Sequence, residues 1–550
     1  MVRIWQSNRS PHHNSQHHHH DIQLDLSTSS TMTDHTDMSF SGNPVDPGAS
    51  TATESTRRRR SSIKDAIDEK LLAYEREPVP IDSLKGWPSY LGMFISRHTA
   101  GTEFAIGPLF VANGATAMDV VVGLLIGNIL ATLSWRFLVA PLATSQRLTA
   151  YYAMELVVGK RLMFVYDIMA CVLLAGLAGA MFTVSATAFG AISDVPMPEL
   201  DDWLPSSWAF VAIVIGCGLV TTVVAAFGFT YVATFGELIT PVLIAGIIYL
   251  CVQSLQMLGI NDECGFWCIM TEKVYTGDKV DPNLPTFGFG RCLAFAWFVD
   301  LQLHIGQNDL SLLRFAKSPN IGWASAGGML IGHYFAWIVA GLMYAVQLQE
   351  TGETSVAPGP IASLVGGGFG ICIIVLAGWS TANPVLYSSG LALQHMFPQI
   401  RAWLSTIIVG ILATVAACFP ALTNKIMEFL SLAGVLLCPM GIMVFTDYFI
   451  FPRLTLPQQA AKASGTETTT NWPAAFTWAL TEIVALPLGL LIPSISIIFA
   501  PFIAIPLALV TYIVSTKISV EKGWIPSISS EAEVEDENAT EAVKDALHCE

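Results

Sequence analysis

Two stretches of this chain put charge and glycine where a membrane-spanning helix needs apolar side chains. Nothing else in the sequence limits the fold so strongly. The first reads Ser96-Arg97-His98-Thr99-Ala100-Gly101-Thr102-Glu103 and continues to Gly107-Pro108. The second reads Asp300-Leu301-Gln302-Leu303-His304-Ile305-Gly306-Gln307-Asn308-Asp309. Lipid offers the backbone no hydrogen bonds, so an interrupted helix survives at membrane depth only where it lines a cavity or a site. A matched pair of polar, glycine-broken spans points to the binding site of a secondary transporter.

Both stretches lie inside long apolar runs. Charged residues make up 13% of the 550, against about 25% in soluble domains, and mean hydropathy is +0.54. A span needs ~20 apolar residues. Runs of that kind predict helices at 88–112, 118–144, 162–192, 208–229, 231–258, 288–313, 322–347, 361–395, 402–420, 424–451, 473–492 and 494–516. The expected class is an all-α polytopic membrane protein of about twelve helices. The breaks fall in the first and sixth, which makes the repeat five helices long. An odd repeat forces the halves to be inverted, so the expected plan is a 5+5 inverted repeat around a midplane site. Repeat one spans 88–258 and repeat two 288–451, with helices 11 and 12 over 473–516, all within a transporter domain at 86–516. Residues 1–85 are polar and low in complexity, which predicts a disordered segment carrying a short helix from Ser62 to Arg76. Residues 517–550 read as an acidic tail.

Basic residues in short loops set the orientation. Alternate loops carry Arg147, Lys160, Arg161, Arg314, Lys317, Arg401, Arg453 and Lys462; the opposite set carries Lys273, Lys279 and Lys425. The first set is expected in the cytoplasm, with both termini beside it and the plasma membrane as the host. The sequons at Asn8 and Asn538 then stay unglycosylated, and the loop 259–287 faces outward. Cys264 and Cys268 share that loop, where a disulfide and two free thiols are both open. The first residues lack the apolar core of a signal peptide. The tract His17 to His20 is read as incidental bias rather than a metal site. With no basic stripe or zinc spacing, no nucleic-acid partner is expected.

Chemistry concentrates in three spans. In the first, Arg97, His98 and Glu103 each need a partner or a cavity, since an ionisable group at the helix centre costs roughly 2.5–3.5 kcal/mol. A structural pairing suits Arg97 near the helix end, and the site suits Glu103. In the sixth, Asp300, Gln302, His304 and Gln307 flank the unwound Gly306. Their amide and imidazole edges fit a neutral heterocycle, Asp300 fits a cation, and His304 fits a proton relay. In the eighth, Ala377-Gly378-Trp379-Ser380-Thr381-Ala382-Asn383-Pro384 gathers hydroxyls and carbonyls into the oxygen set that a hard cation requires. Arg136, Glu237, His333, Glu428 and Asp447 rank lower, as helix contacts. The run Gly366 to Gly370, without a following Lys, marks flexibility or close packing.

These residues resemble the nucleobase–cation symporter family of purine, cytosine and hydantoin permeases. Gly123-Leu124-Leu125-Ile126-Gly127-Asn128 looks like that family's Ile-Gly-Asn segment. Trp379-Ser380-Thr381-Ala382-Asn383, with Leu386-Tyr387-Ser388 and Gly390-Leu391-Ala392-Leu393, is similar to its helix 8, and Leu313-Arg314-Phe315 to its Arg-aromatic pair. The resemblance covers about 85–515, with specific matches only in helices 1, 2, 6 and 8. It implies Na+ or H+ symport, a sodium site from Ala377, Ser380, Thr381 and helix 1 carbonyls near Gly101, and substrate contacts from Asn383, Gln302 and His304. The chain departs from the family in lacking the usual stacking aromatics: helix 3 has no Trp, and Gln302 and His304 stand where an aromatic is usual.

The function expected is symport of a small nitrogenous heterocycle such as a purine, pyrimidine, hydantoin or vitamin precursor, with Na+ or H+ as coupling ion and no cofactor. An amino acid, amine or betaine symporter on the same fold, motivated by Glu103 and Asp300, is the alternative, and a non-transporting receptor a third reading. No intramembrane nucleophile or metal motif suggests an enzyme. The partners expected are the substrate and the bilayer; the sequence leaves the oligomeric state open.

Overall fold

The computed structural model describes residues 76–525 apart from 194, 199–201, 460–469 and 493–495. The described residues contain helices, turns and three isolated bridges, with no strand among them. Among the described residues nine helices are long and apolar enough to cross a membrane. In chain order the spans are α1, broken into Trp87–His98 and Glu103–Ala112; α2, Asp119–Gln146; α3, Lys160–Gly190; α4, Trp208–Ala226; and α5, Phe229–Met257. Next come α6, broken into Phe289–Phe298, Leu301–His304 and Leu310–Leu313; α7, Pro319–Glu350; α8, Pro358–Met396; and α9, Ala402–Ala417. The last are α10, Glu428–Leu454; α11, Trp472–Leu491; and α12, Ser496–Glu521. The two broken helices and the shorter α9 raise the nine to the expected twelve. The chain is an all-α, multi-pass integral membrane protein.

The packing carries the repeat. Adding five to each helix number maps contacts onto contacts: α1 on α5 matches α6 on α10, α1 on α7 matches α6 on α2, α8 on α5 matches α3 on α10, and α8 on α4 matches α3 on α9. The pairs α3–α8 and α4–α9 map onto themselves. Leu219, Leu238, Ile483 and Leu491 are each more than 60% exposed, a cost in water that vanishes against lipid. Trp87, Trp208 and Trp472 stand exposed at or beside helix starts, the depth at which indoles favour the membrane interface.

Three local features position the site. Wide π-turns interrupt α2 at Asp119–Leu124 and Trp135–Val139 and α7 at Gly328–Phe335. At Gly107 an added Cβ would lie 2.5 Å from Ala340 Cβ and 2.6 Å from the Trp337 carbonyl, so α1 and α7 touch backbone to backbone. Gly127 does the same for α2 and α6, where an added Cβ would meet Ala296 Cβ at 2.6 Å.

Two open readings are resolved and two expectations change. Gly367 has φ +54° and breaks α8 near its start, so the glycine run is a kink. Cys264 and Cys268 form a disulfide. Helix 12 runs to Glu521, past the expected end at 516. Residues 79–85 were expected within the disordered leader, yet Val79 is fully buried and its N–H donates to the Arg147 carbonyl at 3.0 Å. Lys85 pairs with the chain after α6, donating to Phe315 O at 2.6 Å and accepting from Lys317 N at 3.1 Å. The His17–His20 tract, nearly all of the Ser62–Arg76 helix, both sequons, Lys462 and residues 526–550 lie outside the described residues.

Candidate functional site

The first site feature is a seam between α1 and α8. Ser380 Oγ donates to the Ser96 carbonyl at 2.8 Å and lies 3.0 Å from the Ala377 carbonyl. Thr381 Oγ1 donates to the Arg97 carbonyl at 2.6 Å. α1 stops at His98 (Thr99 takes φ −87°, ψ 61°), so carbonyls in its last turn are not all used by the helix and remain as acceptors. The carbonyls that meet Ser380 and Thr381 are therefore those of Ser96 and Arg97, a turn before Gly101. Gly101 instead lets α1 approach α8: an added Cβ there would lie 3.2 Å from Gly378 Cα. Five oxygens, from Ser96, Arg97, Ala377, Ser380 and Thr381, thus sit together.

Beside this seam the breaks of α1 and α6 meet α7. Asp300 Oδ2 lies 3.2 Å from His98 Nε2 and 3.6 Å from His333 Nε2, and Glu103 Oε1 lies 3.9 Å from His333 Nε2. The Trp337 indole N–H donates to the other Glu103 oxygen, and Thr102 donates to Oε1 at 3.3 Å. The His333 ring stacks on Trp337 at 4.6 Å. Arg97 turns away and pairs with Asp309 at 2.7 Å, whose second oxygen accepts from Trp135 Nε1 at 2.7 Å. None of the four groups around Asp300 is more than 9% exposed.

Of the residues expected at the site, Glu103 and Asp300 are therefore brought together. The others spread around α6. His304 packs on Trp135 at 4.7 Å and donates from Nε2 to the Trp297 carbonyl at 3.0 Å. Gln307 takes a left-handed conformation, φ 65°, next to Gly441 of α10. Asn308 donates to Tyr151 at 3.2 Å, and Tyr166 donates to the Gly306 carbonyl at 3.1 Å. Asn383 and Gln307 are fully buried, and neither amide atom of either side chain has a hydrogen-bond partner; the same holds for Gln302 Oε1 and His304 Nδ1. Buried amides left without partners are costly.

Both ends of the site are closed. At one, Tyr90 donates to the Leu312 carbonyl at 2.7 Å, Arg314 donates to Tyr387 at 3.1 Å, and Phe229 stacks on Phe315 at 4.4 Å. At the other, Phe110 packs edge-on against Phe287, Phe295 and Trp337 within 5.8 Å. The arrangement is occluded. Near the Arg314 end, His395 bridges Glu155 at 3.0 Å and Asp167 at 2.7 Å. Glu155 stands on the short helix Ala150–Val158 outside the spans. Burial would raise its carboxyl, but the hydrogen bond from His395 and the charges of His395, Arg76 and Lys160 outweigh it and hold the group below its ordinary value.

Three site residues escaped sequence reasoning. His333 was ranked as a helix contact, and Trp135 and Trp337 were not singled out. Trp135 and His333 lie in π-turns, and Trp337 follows one by two residues; such turns often mark functional sites but leave no trace in the apolar pattern.

Among solved structures the chain is similar to Mhp1, a nucleobase-cation-symport-1 family transporter, in a closed conformation with bromovinylhydantoin bound. Identity is 16% over 82% of this chain and 96% of that one, with a TM-score of 0.62. It is similar to Mhp1 in an inward-facing conformation, at 16% over 81% and 93%, with a TM-score of 0.60. It is also similar to a Na+-coupled sialic acid symporter in a substrate-bound outward-open state, at 13% over 84% and 97%, with a TM-score of 0.59. These likenesses establish the fold. No family model and no curated protein matches the chain.

Proposed function

We propose that this chain is a secondary active transporter that couples Na+ or H+ to uptake of a small nitrogenous heterocycle. The observation that carries the reading is the seam. The hydroxyls of Ser380 and Thr381 bond carbonyls of Ser96 and Arg97 on the other helix, so a hard cation entering there finds oxygen ligands from both. A cation at that seam ties α1 to α8 and so favours one set of conformations, which is what coupling requires. Glu103, Asp300, Gln302, His304, Gln307 and Asn383 are the proposed substrate contacts. The unpartnered amides of Gln307 and Asn383 support this, because a flat heterocycle carries donors and acceptors on its edge, and Trp135 and Trp337 offer faces for stacking. In the cycle, cation and substrate bind from outside, and helices 1, 2, 6 and 7 tilt against the rest to release both inside. The loops with Arg147 and Arg314, and both termini, are cytoplasmic in this reading, with the plasma membrane as host.

The test is counterflow in proteoliposomes with and without a sodium gradient, over nucleobases, hydantoins, pyrimidines, amino acids and betaines. Exchange of a heterocycle that is lost in Asn383→Ala supports the reading; exchange of none overturns it. A second reading, an amine or amino acid as cargo, is favoured by one observation: Glu103 and Asp300 have only histidines as ion partners among the described residues. Exchange limited to amines or amino acids selects it.

A further inference from the structure

The cluster at Asp300 has a feature that a heterocycle does not account for. His98 Nδ1 lies 2.8 Å from the Phe94 carbonyl, an atom that only accepts hydrogen bonds, so Nδ1 carries the hydrogen. In the neutral ring Nε2 then presents a lone pair, and it presents it to a carboxylate: Asp300 Oδ2 is 3.2 Å away. Neither atom has a hydrogen-bond partner. A lone pair held against a carboxylate in a buried setting calls for positive charge between them, which either a proton on Nε2 or a metal ion supplies.

Distances and charge agree on what kind. His98, Asp300 and His333 each offer one ligand atom, all within 4.8 Å of one another. Ligand atoms placed tetrahedrally at 2.0–2.1 Å from a zinc-sized ion lie roughly 3.3–3.4 Å apart; the two contacts of Asp300 are 3.2 and 3.6 Å. Glu103 Oε1 lies 3.9 Å from His333 Nε2, the carboxylate nearest that ring after Asp300. Arg97 turns away to pair with Asp309, which leaves the Asp300 carboxylate beside histidines alone as ion partners among the described residues. The surroundings match as well. Ligating histidines as a rule donate their other N–H to a carbonyl or carboxylate, as His98 does to Phe94. The Trp337 indole orients Glu103 through the oxygen that faces away. At Gly332 an added Cβ would fall 2.5 Å from the His98 carbonyl carbon, so nothing on α7 stands between the two histidines.

We propose that His98, Asp300 and His333 form a site for a divalent transition-metal ion, with Glu103 as fourth ligand. Nitrogen and carboxylate together suit such ions, whereas the all-oxygen seam at Ser380 and Thr381 suits a hard monovalent cation. The two sites are separate. No motif reveals this one, because its ligands come from three helices.

The test is Co2+ titration, read by visible ligand-field absorption. It uses the full chain purified without a histidine tag and carrying H12A, H13A, H17A, H18A, H19A and H20A. One equivalent of Co2+, displaced by Zn2+, is expected. Affinity should fall by more than about 100-fold in His98→Gln and His333→Gln, beyond the 10–100-fold typical of outer-sphere changes, and should be retained in His395→Gln. Asp300→Asn guards against misfolding, since it keeps the shape and removes a buried charge; it should stay monodisperse and lose Co2+. No absorbing complex, or one that persists in His98→Gln and Asp300→Asn, overturns the proposal. So does the lack of Co2+ uptake combined with stabilisation by alkylammonium ions, which would make the charge a seat for an organic cation. The readout involves no transport, so its failure is distinguishable from failure of the heterocycle reading; Co2+ bound as expected would remove Glu103 and Asp300 from the free substrate contacts.

Discussion

Thr381→Val removes one oxygen from the α1–α8 seam and little else. The Thr381 hydroxyl donates to the Arg97 carbonyl at 2.6 Å, a bond that contributes about 1 kcal/mol net. A cation needs both oxygens as ligands, so the hydroxyl must turn its hydrogen away and this bond is lost. Interaction of an oxygen with a full charge contributes about 1.5–3 kcal/mol. The difference, about 0.5–2 kcal/mol, corresponds to a roughly 2- to 30-fold rise in the sodium concentration for half-maximal counterflow. Geometry adds a second constraint. Neighbouring oxygens around a calcium-sized hard ion bound at 2.3–2.6 Å sit roughly 3.3–3.7 Å apart. Ion entry must therefore spread the Thr381–Arg97 contact by about 0.7–1 Å. Thr381→Ser keeps the oxygen and should remain within twofold of the parent. At saturating sodium, Thr381→Val should recover the parental rate. A Thr381→Val protein with unchanged sodium dependence, or with a defect that sodium does not rescue, would refute the reasoning.

Asp309→Asn and Arg97→Gln should each destabilise the protein by about 3–5 kcal/mol, because each strands a buried charge. The double variant should cost less than the sum, read as a double-mutant cycle on thermal unfolding in detergent; additivity would mean that the 2.7 Å pair is not coupled. Gly107→Val should cost more than about 1–3 kcal/mol, since overpacking would here press against backbone, whereas Gly216→Val, with nothing within 4 Å of its added carbon, should be neutral; size-exclusion profiles after heating separate them. Glu155 ionises more easily folded than unfolded, so its contribution is present above its ordinary value near 4.5 and is lost as pH falls through the lower folded value. The melting temperature should drop on acidification below that point, and Glu155→Gln should flatten the drop.

Much of this arrangement was legible in the residues. The two breaks are visible because Arg97, Glu103, Asp300 and Gly306 interrupt apolar runs, and a five-helix interval between them implies inversion without any alignment. Ser380 and Thr381 could be matched to a broken helix 1 for the same reason: freed carbonyls seek donors. Which carbonyls was not legible, since that depends on where the helix stops, and it stops at His98, before Gly101. The histidine of α7 was hidden by geometry. A π-turn shifts the residues that follow it around the helix axis, so the face to which His333 belongs cannot be counted from a 3.6-residue period. The ordered strap at Val79 was missed because a lone apolar residue in a polar stretch carries no periodicity to read.

The glycine contacts divide the molecule into parts that tolerate change and parts that do not. Where α1 meets α7 at Gly107, and α2 meets α6 at Gly127, backbones press together with no side chain between them. Those four helices are riveted in pairs. The α1–α8 boundary also has a close approach at Gly101, but it is stitched by the Ser380 and Thr381 hydroxyls, bonds that the proposed cycle would part and re-form. A genetic screen should therefore return two classes of variant. Changes at the rivets would abolish accumulation of the protein and find few second-site rescuers. Changes along the stitched boundary would leave abundance intact, alter ion dependence in graded steps, and be compensated by changes on the facing helix.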